Sequence, residues 1–156
     1  MKMRKCKKGD VESVKEIALM AFGENKKVQK KILGNVLFKA FYSDWQKKKN
    51  QTIEYLYKSR DCKIYVAEKD NKILGFASFR LNKNKPLTAE ILTNAVSPKY
   101  QQQGIGSALY KKLISEVKRL GIKYLHVNTD NENAKKAYEK VGFVKNIQAT
   151  NYFMRL

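Results

Sequence analysis

Residues 89–106 read AEILTNAVSPKYQQQGIG, and this stretch decides the fold because its pattern changes midway. From Ala89 to Val96 the residues are typical of an extended strand, whereas the apolar stripe that starts at Ile105 has helical spacing. Gly104 and Gly106 lie in the turn between the two patterns. The stretch therefore predicts a strand, a tight loop and a helix in direct succession.

The flanking sequence predicts further strands and helices on both sides of this stretch. The predicted elements are a strand at Met3 to Cys6, a helix opened by Gly9-Asp10, a helical region from Lys27 to Tyr57 broken at Gly34, a hairpin of Lys63 to Glu68 with Ile73 to Leu81, a strand at Ile122 to Val127, a helix at Asn131 to Val141, and two strands within Phe143 to Leu156. Because the strand, helix, strand passage from Ala89 to Val127 should be a right-handed crossover, its strands should pair in parallel. The expected class is α/β, with a mixed, mostly antiparallel central sheet.

Length and composition limit the function classes. The 156 residues fit one domain spanning 1–156, and no apolar run reaches the roughly 20 residues of a membrane-spanning helix. The basic amino terminus has no apolar run and cleavage site after it, so secretion is not expected. Cys6 and Cys62 lie far apart without histidines at ligand spacing, which predicts reduced thiols, no metal site and a cytoplasmic protein.

The formal net charge of +19 raises the question of a polyanionic partner. Lysines account for most of it and are spread over the whole chain, whereas nucleic-acid surfaces usually draw on arginine and on localised patches. A lysine-rich coding bias would give the same composition, and the densest run, at 47–49, is expected on a solvated helix face. We therefore do not expect nucleic acid to be the main partner.

The loop Gln101-Gln102-Gln103-Gly104-Ile105-Gly106 could bind a pyrophosphate. Unpaired N–H groups at a helix start attract phosphate oxygens, and glycines let the backbone come close to the anion. A dinucleotide fingerprint would require a third glycine where the chain has Leu109, and no G-x-x-x-x-G-K-[ST] loop occurs. From the loop alone, a tight turn whose glycines serve packing remains an equal alternative.

A second motif follows at a fixed distance. The loop fits the signature Q/R-x-x-G-x-G/A, and the later motif N-x-x-A-x-x-x-Y-x-x-x-G-F is matched by Asn131, Ala134, Tyr138, Gly142 and Phe143. Together the two motifs resemble the GCN5-related N-acetyltransferase (GNAT) superfamily. The resemblance is strong from 89 to 143 and weak in the front half. It implies a splayed parallel strand pair in the sheet and direct acetyl transfer from acetyl-CoA to an amine, without an acyl-enzyme and without a metal.

The resemblance also implies which residues hold the cofactor. The pyrophosphate would be bound by the loop and the start of the following helix, at Gln101, Gln102, Gln103, Gly104, Ile105, Gly106 and Ser107. The pantetheine arm would lie along the strand from Ala89 to Val96, with Asn131 holding it and Ala134 completing the motif. A bulge in this strand would provide a backbone N–H for the developing oxyanion, and Ala95 or Val96 is the candidate donor.

Two side chains are candidates for proton transfer. Tyr138 occupies the family position of the group that protonates the CoA thiolate, and its alternative role is packing on the sheet. An ammonium acceptor must lose a proton before it attacks, and Glu90 resembles the general base of the histone-acetylating branch. Strict alternation puts Glu90, Leu92, Asn94 and Val96 on one side of the strand. For Glu90, a base role and a structural or substrate-orienting role remain equally open.

For the histidine and for an aromatic group in the front half, a structural role is the simpler interpretation. The one histidine, His126, is expected to be a packed or solvent-facing strand residue. Phe38, Phe41, Tyr42 and Trp45 lie where the family builds its acceptor wall, although core packing is the simpler reading for most of them. The acceptor stays open between a protein amine and a small molecule. The other functional reading is a non-catalytic module that senses CoA or docks on nucleic acid, and the resemblance also allows a homodimer.

Overall fold

The structure is a computed structural model that describes residues 1–129, 132–145 and 151–155. Within these ranges the chain forms seven strands and four α-helices. In chain order they are β1 (Lys2–Lys5), α1 (Val11–Tyr42), α2 (Trp45–Lys58), β2 (Cys62–Lys69), β3 (Lys72–Leu81), β4 (Thr88–Val96), α3 (Ile105–Arg119), β5 (Tyr124–Asn128), α4 (Glu132–Lys140), β6 (Val144–Lys145) and β7 (Asn151–Arg155).

The described strands form one sheet in the order β1-β2-β3-β4-β5-β7-β6. Each neighbouring pair is antiparallel except β4 with β5, which is parallel as the crossover predicted. The parallel pairing runs from Thr88 to Ile91 on β4, whereas β4 itself continues to Val96. The second half of β4 therefore leaves β5, and the expected α/β class with a splayed parallel pair is confirmed.

Apolar side chains form a core on each face of the sheet. On one face, Leu109, Leu113 and Val117 of α3 pack on the sheet with Phe79 and Ile91. On the other face, the core includes buried residues of both α1 and α2, among them Val14, Ile17, Ile53 and Leu56, together with Phe76 of β3. The sheet thus separates an α3 side from an α1/α2 side, and β4 contributes to both.

The boundaries of two elements differ from the sequence prediction. The first helix does not stop before a second region at Lys27 but continues to Tyr42, with a kink at Gly34, whose φ of 73° lies in the left-handed region. The strand predicted from Ile122 begins at Tyr124 instead. Ile122 still belongs to the helix end, because its N–H bonds to the carbonyl of Val117. None of the described helices is long and apolar enough to cross a membrane.

A bulge in β4 overturns the predicted alternation along this strand. Ala77 pairs with Asn94 and Phe79 pairs with Ile91, so Ser78 alone faces two residues of β4. The Ser78 hydroxyl donates to the Thr93 carbonyl at 2.7 Å. The extra residue shifts the strand by one position. Consequently, Asn94 and Val96 lie on the α3 side and not on the side of Glu90 and Leu92, as strict alternation predicted.

Candidate active site

A cleft of about 550 Å³ opens where β4 diverges from β5. Its walls come from both sides of the sheet. Residues that line it include Ala21, Phe22 and Asn25 of α1, Leu92 to Val96 of β4, Gln101, Gln102 and Gly104 to Ser107 of the loop and α3, and Ala134, Ala137 and Tyr138 of α4. Its volume is within the range typical of small-molecule sites. The two predicted motifs and the second half of β4 therefore meet in one cavity.

The loop before α3 has the shape expected of an anion site. Gln102 and Gly104 both have left-handed backbones, with φ of 62° and 77°, and α3 begins directly afterwards at Ile105. The first N–H groups of a helix have no intrahelical acceptor and carry the positive end of the helix dipole. Gly106 and Ser107, in this first turn of α3, line the cleft. Of the predicted loop residues, only Gln103 is absent from the lining.

The end of β4 is held in place by two close contacts. The Gln101 side-chain amide donates to the Val96 carbonyl at 3.1 Å, which ties the loop to the strand. Gly75 of β3 pairs with Val96, and a Cβ at Gly75 would lie 2.9 Å from the Ala95 carbonyl oxygen. Only glycine fits this approach. Ala95 and Val96 line the cleft as predicted, and the predicted bulge lies just before them, opposite Ser78.

Tyr138 is anchored by a network that sequence reasoning did not find. Its side chain is 1% exposed, and its hydroxyl accepts a hydrogen bond from the Asn94 side-chain amide at 2.8 Å. The Tyr110 hydroxyl donates to the other end of that amide at 2.7 Å. The two tyrosine rings lie 4.5 Å apart between centroids. Asn94 was visible as a lone amide in an apolar strand, but only the bulge turns it toward α3 and α4.

The environment keeps both phenols protonated. Burial raises the pKa of Tyr138, and the nearby Tyr110 hydroxyl and Asn94 amide partly offset that shift because they favour the phenolate. Burial raises the pKa of Tyr110 well above its usual value. A neutral Tyr138 can donate its proton, and the Asn94 amide stabilises the oxygen after the proton has left. This arrangement fits a proton donor at the bottom of the cleft.

Glu90 lies apart from this network. It points to the α1/α2 side, where its carboxylate accepts a hydrogen bond from the Arg80 guanidinium at 2.7 Å. Arg80 is the residue opposite it on β3, and its pKa is raised chiefly by this contact. Glu90 is not part of the cleft lining. On β5, the neighbour in register is His126, a half-buried strand residue, as predicted.

The aromatic group that was predicted to form an acceptor wall does not line the cleft. Phe38 and Tyr42 contact each other, with ring centroids 5.6 Å apart, but neither lines the cleft. The prediction of core packing is wrong for Phe41, which is 69% exposed. Instead, Phe22 reaches the cleft from the middle of α1. The sequence could not distinguish Phe22 from a core residue, because both would occupy an apolar position of the helix.

One implied residue falls outside the described part of the chain. Asn131, the implied contact to the pantetheine arm, has no described position. Ala134 of the same motif lines the cleft, one turn before Tyr138 on α4. The motif therefore contributes one small residue and one phenol to the cavity wall.

The sequence pattern of the Acetyltransferase (GNAT) family matches residues 31–143. The chain belongs to this family. Among curated relatives, the N-alpha-acetyltransferase RimI of Mycobacterium tuberculosis is 38% identical over 78 residues, which cover 49% of each chain. The ribosomal protein bS18-alanine N-acetyltransferase of Escherichia coli is 32% identical over 91 residues, covering 50% of this chain and 62% of that protein. The chain thus spans less than two thirds of the length of these relatives.

Solved structures of other acetyltransferases share the fold. The PaiA N-acetyltransferase of Thermoplasma acidophilum, solved in complex with coenzyme A, superposes with a TM-score of 0.68 at 22% identity over 98% of this chain and 96% of that one. A GNAT acetyltransferase of Brucella melitensis, solved with acetyl-CoA, gives a TM-score of 0.70 at 18% identity over 99% and 87%. At these identities the likeness extends to the fold alone.

Proposed function

We propose that the protein is an acetyl-CoA-dependent N-acetyltransferase that transfers the acetyl group directly to an amine in a ternary complex. The observation that carries the proposal is the shared cleft, in which a helix-start anion site and a buried tyrosine with an oriented hydroxyl lie along one splayed strand. Family membership and relatives named as N-acetyltransferases support it. A CoA-sensing or nucleic-acid-docking module would not require the oriented phenol.

The residues of the cleft fit the demands of acetyl-CoA. The N–H groups at the start of α3 would bind the pyrophosphate, and the free edge of β4 beyond Ile91 would hydrogen-bond the pantetheine amides as another strand would. Asn131 stays a proposed contact to the same arm. Acetyl-CoA supplies an activated acetyl group. The chain would position the thioester and provide a backbone hydrogen-bond donor and a proton.

The proposed catalytic roles differ between groups on the two sides of β4. A backbone N–H beside the bulge, at Ala95 or Val96, would stabilise the negative charge on the thioester oxygen. As the amine nitrogen bonds to the carbonyl carbon and the carbon–sulfur bond breaks, Tyr138 would give its proton to the departing sulfur. Glu90 would act as base only through water, since its carboxylate is paired with Arg80 and lies outside the cleft lining.

For the acceptor, we propose the α-amine of a protein or peptide. The support is the printed function of two relatives, one an N-alpha-acetyltransferase and the other an N-acetyltransferase acting on an alanine of a ribosomal protein. An α-amine also has a pKa of about 8, so a larger fraction is neutral at pH 7 than for a lysine amine.

The test is thiol release from acetyl-CoA in the presence of peptides with free α-amines, peptides with a blocked terminus and an internal lysine, and simple polyamines. We expect thiol release above background hydrolysis with free α-amines. Tight CoA binding without release by any amine would instead support the sensor. Tight binding to RNA that weakens steeply with salt would support the nucleic-acid module.

A further inference from the structure

Lys49 of α2 places a cation at the α1/α2 end of the cleft. Its Nζ lies 3.7 Å from the ring centroid of Phe22 and 3.4 Å from the Thr93 hydroxyl oxygen. Lys49 is only half-buried and is not itself part of the lining, but it contacts Phe22 and Thr93, which both line the cleft, so its ammonium lies at the edge of the cleft. The Thr93 hydroxyl belongs to the bulge, next to the backbone that we assign to the reacting thioester.

This ammonium is partly buried without a negative partner. Among the described residues no carboxylate forms an ion pair with Lys49, whereas the partly buried Lys15 pairs with Glu12 and Glu54, and Lys112 pairs with Glu116. Burial, with a smaller contribution from nearby Lys26, lowers the pKa of Lys49. A desolvated cation without a counterion is unfavourable, and an arriving anion would offset that cost.

The other charged groups near this end of the cleft do not act as a counterion for Lys49. Lys26 adds positive charge, with its Nζ 4.1 Å from the Tyr42 ring centroid. Its own hydrogen bond goes to the neutral amide of Gln29. The carboxylate of Glu90 on the same side of β4 is already paired with Arg80. The end of the cleft that receives the acceptor is therefore positive, and it would repel a polyamine or another polycation.

We propose that Lys49 binds a carboxylate of the acceptor, so that the enzyme acts on amines that carry an acidic group. The carboxylate would take the ammonium as a charge-assisted hydrogen-bond donor, with Phe22 covering the apolar part of the acceptor. The proposal rests on the proposed acetyltransferase function, which it narrows to an acidic class of substrate. It makes Lys49 a binding residue for specificity.

The experiment uses two peptide amides that differ in one functional group, alanyl-glutamate amide and alanyl-glutamine amide. The free α-amine is the same, and only the first carries a carboxylate. For the wild-type protein we expect kcat/KM to favour the carboxylate peptide by about tenfold or more, the size of one charge-assisted hydrogen bond. In Lys49→Met this preference should fall to near unity, and Lys49→Arg should keep most of it.

The matched control is Lys47→Met, which removes the same charge from an exposed position two residues away on α2. It should keep the wild-type preference. A second readout does not depend on turnover: calorimetric titration of each peptide into the protein saturated with CoA should show the same preference in affinity. Thermal unfolding checks that each variant is folded.

Three results would overturn the proposal. One is equal use and equal binding of both peptides by the wild-type protein, and another is a preference that survives in Lys49→Met. The third is a failure of the carboxylate peptide to bind the CoA complex at all. In the first two cases acetylation of the peptides continues, so the acetyltransferase function stands while the role of Lys49 falls. Loss of thiol release with every amine would contradict the function itself.

Discussion

The two faces of β4 carry different kinds of polar groups although they belong to one strand. On the α3 side, Asn94 joins two buried phenols in a neutral hydrogen-bond network. The α1/α2 side carries charged groups beside its apolar core, with Glu90 paired to Arg80 and the Lys49 ammonium beside Thr93. A neutral, buried network fixes geometry, whereas partly solvated charges select by sign. We propose that the first face serves the acetyl donor and that the second face governs the choice of acceptor.

A single inserted residue creates this difference. Without the bulge opposite Ser78, Asn94 would point toward α1 and α2, and Tyr138 would lose its hydrogen-bond donor. Bulges commonly turn a side chain toward an active site in this way.

The largest effect is expected at Tyr138. Tyr138→Phe removes the proposed proton donor while keeping the ring that packs on Tyr110 and Phe143. General-acid groups typically contribute at least about a hundredfold, so kcat should fall by about that factor while the affinity for CoA changes little. Steady-state thiol release and calorimetric CoA titration measure the two quantities. Tyr124→Phe, at an exposed tyrosine of β5, is the control and should be unchanged.

Asn94→Ala should have the next largest effect. It leaves the hydroxyls of Tyr110 and Tyr138 without the amide between them, which predicts a loss of about 1–3 kcal/mol in the free energy of unfolding. Because the amide hydrogen bond lowers the pKa of Tyr138, its loss should raise that pKa and weaken the acid. We expect kcat to fall about tenfold. Urea unfolding and thiol release would reveal both changes, and a stability loss with unaltered kcat would leave Asn94 a structural residue.

Gly75→Ala tests the geometry of the strand. The new methyl group would overlap the Ala95 carbonyl, so β4 must shift where the pantetheine arm should bind. Such overpacking costs about 1–3 kcal/mol, and CoA affinity should fall with it. Gly9→Ala is the matched control, since a Cβ there meets nothing within 4 Å. Equal CoA affinity in both variants would mean that the position of this strand end is unimportant for the cofactor.

The smallest effect is expected at Glu90. The pair with Arg80 is partly solvated, so Glu90→Gln should change the free energy of unfolding by less than about 1 kcal/mol. If Glu90 acts as base through water, the loss of rate should shrink as the pH rises toward the pKa of the amine. A loss that is constant with pH would indicate a positioning role. The pH dependence of kcat/KM for both proteins distinguishes the two.

Much of the donor side could be predicted from the sequence. The donor-side motifs consist of the glycines at 104 and 106 and the later tyrosine, at fixed spacing in the sequence. Such local patterns can be recognised without any knowledge of tertiary contacts. The parallel pair followed from the crossover rule, and its splay followed from the family resemblance. The resemblance also predicted a bulge but not its exact position.

The remaining features depend on contacts between segments distant in sequence. Asn94 reaches Tyr138 across 44 residues, and Lys49 reaches Thr93 across the same separation. Strict alternation assigned Asn94 to the wrong face because one bulged residue reverses every later position. Lys49 lay within an exposed-looking lysine run, and only the packing of α2 against α1 separates it from Lys47 and Lys48.

In the proposed reaction the acetyl group leaves CoA for the nitrogen of an amine. Mass spectrometry can follow this transfer, using an α-amine peptide incubated with the protein and acetyl-CoA labelled with deuterium in the acetyl methyl group. We expect a labelled acetyl group on the terminal nitrogen of the peptide, formed at the same rate as free CoA thiol. Label that appears only as free acetate, or that remains on CoA while the protein binds it, would rule out acetyl transfer to this amine.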